Sequence, residues 1–324
     1  MTELSVVIPI HNEAPALEEL HRELTDTLHA WGRSYEIIIV DDGSTDGSFD
    51  ALARLQSIDP DLRVIRLRRN FGQTAAFAAG FDYARGRLIA TSDGDLQNDP
   101  HDIPAMIDAL ERGHDIVCGW RKDRKDALLS RRLPSAIANR LISLATGVRL
   151  HDYGCSLKVF RADVVKSLKL YGEMHRFLPA IASEQGVSIS EMPVNHRPRR
   201  YGRSKYGIGR TIRVLLDLLT VKFLLSYSTR PLQIFGLIGI AMATLGFLVS
   251  AWLAFERLIG AESLSNRPLL FLGILLIITG VQLVTLGLLA EMQARTYHES
   301  QNKPTYAIRE IRETPTIERA RAGR

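Results

Sequence analysis

Residues 88–97, LIATSDGDLQ, decide the fold, because a short apolar strand ends there in two carboxylates that stand one residue apart. A turn of this kind can aim both carboxylates outward, and Gly94 lets the backbone approach a ligand closely. Mg²⁺ and Mn²⁺ take one or two protein carboxylates and complete their shell with water and phosphate oxygens. An isolated Asp-x-Asp is usually only a solvated turn, so the surrounding chain must support the hypothesis. That hypothesis is a metal and diphosphate site at Asp93 and Asp95, with Gln97 as an orienting or outer ligand.

Apolar strands alternate with helical segments through the N-terminal part of the chain. The alternation predicts an α/β domain with a mainly parallel, doubly wound sheet. The predicted strands are 4–10, 36–40, 64–67, 88–91 and 115–118, and the predicted helices are 14–29, 48–57, 74–84 and 102–111.

Three polar loops follow strands of this predicted sheet, at 11–13, 41–43 and 93–95. Ligands of doubly wound sheets bind beyond the carboxyl ends of the strands, so we expect the three loops to converge on one edge. The sequence contains no GxGxxG or Walker motif, which argues against a dinucleotide dehydrogenase or a P-loop nucleotidase. A metal and arginines would have to meet the phosphate charge instead.

The composition permits a large core, with 46% hydrophobic residues among 324 and a net charge of +5. The N-terminus lacks the pattern of a secretory signal, so we expect the large domain to stay in the cytoplasm. The two cysteines, Cys118 and Cys155, have no CxxC spacing. We interpret them as packing residues rather than as a disulfide or a zinc site.

Two uncharged runs near the C-terminus, 231–255 and 268–290, predict a hairpin of transmembrane helices. Each run exceeds the roughly 20 residues that cross about 30 Å of hydrocarbon. The alternative is a buried helical hairpin of a soluble enzyme. Lysines and arginines flank the hairpin on both sides, which favours a multi-pass protein of the cytoplasmic membrane with its large N-terminal domain in the cytoplasm.

The segments on either side of the hairpin have different compositions. Residues 206–230 mix apolar residues with cations, which predicts amphipathic helices along the bilayer surface, among membrane lipids. Residues 291–324 form a polar cytoplasmic tail, and over 299–324 we expect disorder or a loose helix. Its arginines are not interleaved with aromatic residues, so we expect anionic headgroups and no nucleic acid as neighbours.

Five motifs in this order, followed by the hairpin, resemble the polyprenyl-phosphate glycosyltransferases of glycosyltransferase family 2. The resemblance is to dolichyl-phosphate mannose synthase and the bacterial GtrB-like enzymes, and it spans roughly residues 4 to 290. The motifs are VVIPIHNE at 6–13, VDDGSTDG at 40–47, RNFG at 69–72, DGDLQ at 93–97 and YGRSKY at 201–206.

This resemblance implies a GT-A catalytic domain over residues 1–205, interfacial helices over 206–230, the hairpin over 231–290 and the tail. It assigns catalysis to Asp93, Asp95 and Arg121, and the metal, Mg²⁺ or Mn²⁺, to Asp93, Asp95 and Gln97. The implied nucleotide-sugar site contains Pro9, Asn12, Glu13, Asp42, Asp93, Gly94, Asp95 and Gln97. The implied lipid-phosphate site contains Arg121, Arg131, Ser135, Arg203 and Lys205, with Arg132 as an alternative to Arg131.

The implied reaction transfers one sugar, with inversion, from a nucleotide diphosphate sugar to polyprenyl phosphate. UDP-glucose and undecaprenyl phosphate are the first expectation for donor and acceptor, with GDP-mannose, UDP-N-acetylglucosamine or an aminopentose donor as alternatives. A processive synthase is disfavoured because QxxRW is absent, and 174–177 reads MHRF in the corresponding region. A noncatalytic membrane scaffold is a second alternative. Some members of the family are tetramers, so a homo-oligomer is possible.

Overall fold

The computed structural model describes residues 2–122, 142–143, 146–168, 170, 174–198, 200, 231–260, 268–300 and 304–314. The chain divides into two compact units. One unit comprises Met1–Val221 with Pro304–Arg324, and the other comprises Lys222–Lys303. Residues 201–230 lie outside the described residues. They include the predicted domain boundary at 205 and the predicted interfacial segment 206–230.

The first unit is built on one mixed sheet of eight strands. The strands are β1 Leu4–Ile10, β2 Tyr35–Asp41, β3 Leu62–Leu67, β4 Leu88–Thr91, β5 Ile116–Trp120, β6 Lys158–Arg161, β7 Ile189–Pro193 and β8 Ile308–Arg312. Their order in the sheet is β7-β5-β6-β4-β1-β2-β3-β8. Strand β1 pairs in parallel with both β2 and β4, whereas β6 runs antiparallel between β4 and β5.

Helices cover both faces of the sheet. They are α1 Leu17–Trp31, α2 Ser48–Ile58, α3 Gln73–Tyr83, α4 Asp102–Glu111, α5 Ala162–Lys166 and α6 Leu178–Ser183. The amphipathic α1 packs its apolar side on β1 and β2, and it ends at Gly32, which adopts the left-handed conformation that favours glycine. On the opposite face α3 approaches β1 so closely that a Cβ at Gly80 would lie 2.1 Å from Val7 Cγ1.

The structure confirms the five predicted strands and the four predicted helices, with shifts of a few residues at their ends. Both cysteines are buried free thiols, as the interpretation as packing residues requires. Burial raises the pKa of Cys118 to about 12, so its thiol stays protonated. Neither residue is therefore a reactive thiolate.

The C-terminal tail corrects one expectation. Disorder or a loose helix was predicted, but Ile308–Arg312 forms strand β8, antiparallel to β3. The strand is short and charged, a composition typical of sheet edges, and Ile308 and Ile311 are its few apolar residues. Sequence reasoning missed it because pairing with a distant edge leaves almost no local signal.

The second unit contains two helices, α7 Pro231–Leu258 and α8 Pro268–Ser300. Both contain a span long and apolar enough to cross a membrane, and only 17% and 11% of those spans are buried. Such exposure disfavours the buried hairpin of a soluble enzyme. Glycines let the helices pack closely, since a Cβ at Gly239 would lie 2.5 Å from the Gly280 carbonyl oxygen.

Candidate active site

The 93–97 loop leaves the carboxyl end of β4 with a constrained backbone. Gly94 packs on β1, and a Cβ there would lie 2.7 Å from Ile10 Cγ2. The backbone N–H of Gln97 donates to Asp95 Oδ1 at 3.2 Å. Between these residues the buried Leu96 adopts a φ of +60°, which is rare for a bulky residue and marks stored strain. The surroundings therefore hold the two aspartates in a fixed turn.

Asp42 and the RNFG loop form the second part of this edge. Asp42 is buried and accepts hydrogen bonds from the Phe71 amide at 2.7 Å and the Gly72 amide at 2.9 Å. Burial raises the pKa of Asp42, and the two amide hydrogen bonds only partly offset this effect. Gly43 is required where the loops meet, because it has a φ of +69° and its Cβ would lie 2.5 Å from the Arg69 carbonyl carbon.

Helix α3 begins at this junction and reaches the 93–97 loop. Its first residue, Gln73, donates from Nε2 to Asp93 Oδ1 at 2.7 Å. The RNFG motif and Gln73 thus connect Asp42 with Asp93. The resemblance gave the RNFG motif no stated role, and the structure identifies it as the link between two acidic loops.

The first polar loop packs on the second. Asn12, with a φ of +59°, accepts at Oδ1 from the Thr45 amide at 2.8 Å. The His11 ring contacts the Asp42 carbonyl oxygen through Nδ1 at 2.9 Å, so Nδ1 is the protonated nitrogen. The expected convergence of the three polar loops is therefore present.

Arg121 follows β5 and forms a two-point ion pair. Its Nε and Nη2 lie 2.7 and 2.9 Å from the two carboxylate oxygens of Asp152. Burial alone would lower the pKa of the guanidinium, but Asp152 and the nearby Asp93 contribute to raising it above its ordinary value. Arg121 is therefore a fixed cation beside the acidic edge.

Asp152, which holds Arg121, and Glu191, which holds Asp152, were not predicted from the sequence. Asp152 also accepts from the Gly154 amide at 3.1 Å, and its own amide donates to Glu191 Oε1 at 2.9 Å. No regular spacing relates positions 121, 152 and 191, which lie on different elements. Only the fold brings them together.

His175 forms a buried contact with helix α3 and was not assigned from the sequence. Its Nδ1 lies 2.8 Å from Thr74 Oγ1, next to Gln73 in the chain. Burial, reinforced by Arg176 and Lys158, lowers the pKa of His175 to about 3. The imidazole is therefore neutral and packs against the Phe77 ring.

The predicted site residues divide into two sets. The described ones lie on β1 or on the loops after β1, β2, β4 and β5, and they are Pro9, Asn12, Glu13, Asp42, Asp93, Gly94, Asp95, Gln97 and Arg121. The others lie outside the described residues, and they are Arg131, Ser135, Arg203 and Lys205.

The loop that contains Asp93, Asp95 and Gln97 offers oxygen ligands to a cation. Within the described residues no group of three or more His, Cys, Asp or Glu side chains could hold a metal ion. Two aspartates with one amide nevertheless fit Mg²⁺ or Mn²⁺, because these ions accept few protein ligands when substrate phosphates supply others.

Known structures share the fold. Glucosyl-3-phosphoglycerate synthase from Mycobacterium tuberculosis, in complex with Mn²⁺, UDP and phosphoglyceric acid, matches with a TM-score of 0.55 and 18% identity, covering 68% of this chain and 78% of that one. Mannosyl-3-phosphoglycerate synthase from Rubrobacter xylanophilus matches with a TM-score of 0.56 and 15% identity, covering 68% and 74%. The α/β domain is thus of the GT-A type.

Relatives match over almost the whole chain. Dodecaprenyl-phosphate galacturonate synthase of Rhizobium johnstonii is 49% identical over 313 residues, covering 95% of this chain and 93% of the relative. Undecaprenyl-phosphate 4-deoxy-4-formamido-L-arabinose transferase of Shewanella sediminis is 38% identical over 311 residues, covering 95% and 92%. The family model Glycosyl transferase family 2 matches residues 5–169. The chain therefore belongs to glycosyl transferase family 2 and is a polyprenyl-phosphate glycosyltransferase.

Proposed function

We propose that this enzyme transfers one sugar from a nucleotide diphosphate sugar to polyprenyl phosphate at the cytoplasmic membrane face. The observation that carries the proposal is the junction at the start of α3. There, the backbone N–H groups of Phe71 and Gly72 hold Asp42 and the Gln73 side chain holds Asp93, so the two acidic loops are connected at one end of the parallel strands. The relatives named for polyprenyl-phosphate products or substrates support this assignment.

The nucleotide sugar would lie along the loops after β1, β2 and β4. Pro9, Asn12, Glu13 and Asp42 would bind the nucleoside. Gly94 would contribute its backbone to the diphosphate site, and its lack of a side chain lets the loop pack against Ile10 of β1.

Asp93, Asp95 and Gln97 would hold the divalent cation, Mg²⁺ or Mn²⁺. When bound, the cation supplies positive charge to the departing diphosphate. The Mn²⁺ and UDP named for the Mycobacterium tuberculosis structure are consistent with this choice.

Arg121 would receive the acceptor phosphate together with Arg131, Ser135, Arg203 and Lys205. The guanidinium of Arg121 has five N–H groups and uses one on Nε and one on Nη2 for Asp152, so donors remain for a phosphate. A phosphate monoester is already an anion near pH 7, since its second pKa is about 6. A strong general base is therefore unnecessary, and a single inverting displacement suffices.

The names of the relatives suggest which sugar the donor carries. UDP-glucose was the first expectation, but a relative that is 49% identical is named for galacturonate. We therefore place UDP-galacturonate ahead of UDP-glucose, and a formamido- or aminopentose donor next, because the 38% relative is named for such a sugar. Undecaprenyl phosphate or a similar polyprenyl phosphate would be the acceptor. The hairpin would anchor the enzyme beside this lipid, and assembly into a homo-oligomer stays a prediction.

The experiment uses the full chain in lipid nanodiscs with Mn²⁺ and undecaprenyl phosphate. UDP-galacturonate, UDP-glucose, UDP-N-acetylglucosamine and GDP-mannose are supplied separately, and lipid-linked sugar is scored by mass spectrometry. One lipid phosphosugar is expected, and it should disappear in Asp95→Asn but persist in Asp108→Asn, a change at an exposed aspartate of α4. Nucleoside diphosphate release without a lipid product would contradict the proposed acceptor.

A further inference from the structure

Arg176 differs from the other partly or fully buried arginines of the described chain. Each of the others has a carboxylate oxygen at 2.7–3.8 Å, and they are Arg63, Arg66, Arg121, Arg161 and Arg197. No described carboxylate pairs with Arg176, whose hydrogen bond runs from Nε to His175 Nε2 at 3.5 Å. A partly buried guanidinium is costly without an acid, so this residue suits an anionic ligand.

Lys158, on β6, is a second cation of the same region without an acid among the described residues. It is buried, and its Nζ donates to the Cys155 carbonyl oxygen, a neutral acceptor. Its side chain lies on the α3 face of the sheet, because Phe160, two positions further on, packs against that helix. Lys158 pairs in register with Thr91, two positions before Asp93. A buried positive charge therefore lies beside the start of the acidic loop.

The His175 ring connects Arg176 with the same loop. Since Nε2 of the ring accepts from Arg176, Nδ1 carries the proton and donates to Thr74 Oγ1 at 2.8 Å. Thr74 follows Gln73, whose side chain donates to Asp93. Arg176 is therefore one imidazole ring away from the end of α3 that holds Asp93.

Arg176 and Lys158 act on the same ring and so lie near each other. Burial lowers the pKa of His175, and the charges of both cations lower it further. The proposed site already has partners for two anions, since a metal would meet the diphosphate and Arg121 the acceptor phosphate. A uronic acid brings a third negative charge, on the carboxylate at C6, and Arg176 is a cation without an assigned anion.

We propose that Arg176, supported by the charge of Lys158, is a specificity-determining residue that binds the carboxylate of a uronic acid donor. This inference rests on the proposed function and names the donor class, a nucleotide-linked uronic acid. Nη1 and Nη2 of Arg176 donate to no described residue, and together they can form two parallel hydrogen bonds to one carboxylate. A neutral hexose has a hydroxymethyl group at C6, which would leave both cations without a counter-charge.

The test compares donors that differ only at C6. UDP-galacturonate is paired with UDP-galactose, and UDP-glucuronate with UDP-glucose, using the full chain in nanodiscs with Mn²⁺ and undecaprenyl phosphate. The kcat/KM of lipid-linked sugar formation gives a uronate-to-hexose ratio for each pair. The wild type should prefer one uronate over its hexose by about tenfold or more, as expected for hydrogen bonds to a charged group.

Three variants show whether this preference depends on the guanidinium. Arg176→Gln should reduce the ratio to about threefold or less by losing uronate turnover, while hexose turnover changes little. Its melting temperature should not fall, because no ion pair to a described residue is lost. Arg176→Lys keeps the charge without the planar fork and should give an intermediate ratio. Arg112→Gln, at an exposed arginine after α4, is the control and should keep the wild-type ratio.

The inference fails if the wild type uses a hexose as well as its uronate, or forms lipid-linked sugar from neutral donors alone. An equal loss of both donors in Arg176→Gln would assign the guanidinium to the shared diphosphate, and a rise in acceptor KM alone would assign it to the lipid phosphate. A lower melting temperature with an unchanged ratio would leave Arg176 a structural role only. By contrast, a wild type that forms no lipid-linked sugar from these donors, UDP-N-acetylglucosamine or GDP-mannose contradicts the proposed function itself.

Discussion

Glu36, at the amino ends of the parallel strands, has different partners from Asp42 and Asp93, at their carboxyl ends. At the amino edge, Glu36 is fully buried, its Oε2 lies 3.3 Å from Arg63 Nη2, and its Oε1 accepts from Ser5 and the Arg85 amide. At the carboxyl edge, Asp42 and Asp93 accept from backbone amides and a glutamine instead. Neutral donors orient these carboxylates without cancelling their charge.

This difference is the one we expect between an acid that stabilises the fold and the acids that we propose bind substrate. Arginine already compensates the charge of Glu36, so that carboxylate contributes to stability. No arginine neutralises Asp42 or Asp93 in the contacts above, so their negative charges can attract a cation or accept hydrogen bonds from a nucleotide. Arg121, a cation at that end of the strands, is itself fixed by Asp152.

The largest effect is expected at the carboxyl edge. Asp95→Ala should lower the transfer rate by about 1,000-fold or more, because charge on the departing diphosphate is no longer neutralised. The initial rate of lipid-linked sugar formation measures it, and the melting temperature should stay within a few degrees of the wild type. Substantial turnover at saturating Mn²⁺ would remove Asp95 from the mechanism.

The opposite edge should respond in stability rather than in activity. Arg63→Ala leaves Glu36 buried without its arginine, which should cost about 3–5 kcal/mol in the free energy of unfolding. Urea titration in detergent measures the loss, and KM of the protein that remains folded should be unchanged. A large rise in donor KM would erase the distinction between the edges.

Arg203→Ala extends the comparison to the proposed acceptor side. The acceptor KM should rise about tenfold, since a charge-assisted hydrogen bond to phosphate contributes roughly 1.5 kcal/mol, while the donor KM changes little. Steady-state kinetics with each substrate varied in turn separates the two. An unchanged acceptor KM would assign Arg203 to general headgroup attraction.

The last prediction concerns the pH dependence of stability and His175. The pKa of this ring is about 3 in the folded state, against an ordinary value of 6.5. Below pH 6.5 the unfolded chain binds a proton at this residue that the folded chain does not. Because of this one group, the free energy of unfolding is highest above pH 6.5 and declines as the pH falls toward 3. The slope approaches about 1.4 kcal/mol per pH unit. His175→Gln should flatten it between pH 6.5 and 5, whereas an identical slope in wild type and variant would mean that the ring is not buried as a neutral group.

The sequence predicted the parallel half of the sheet well, because strands such as Leu4–Ile10 are buried on both faces and therefore apolar throughout. It predicted the acidic edge for a topological reason, since loops after parallel strands must meet at one end. Strand β8 and the partners of Arg121 were not predictable. They depend on contacts between distant residues, such as Asp152 with Arg121, for which a single sequence carries no periodic signal.

Metal-dependent nucleotide binding tests the central claim most directly, because that claim makes the acidic loops one cation and nucleotide site. UDP and GDP are titrated by calorimetry into wild type, Asp95→Asn and Asp108→Asn, each with Mn²⁺ and with EDTA. We predict that one nucleotide binds the wild type and Asp108→Asn only with Mn²⁺, and that Asp95→Asn loses this binding. Binding of equal strength in EDTA, or full binding by Asp95→Asn, would contradict the account.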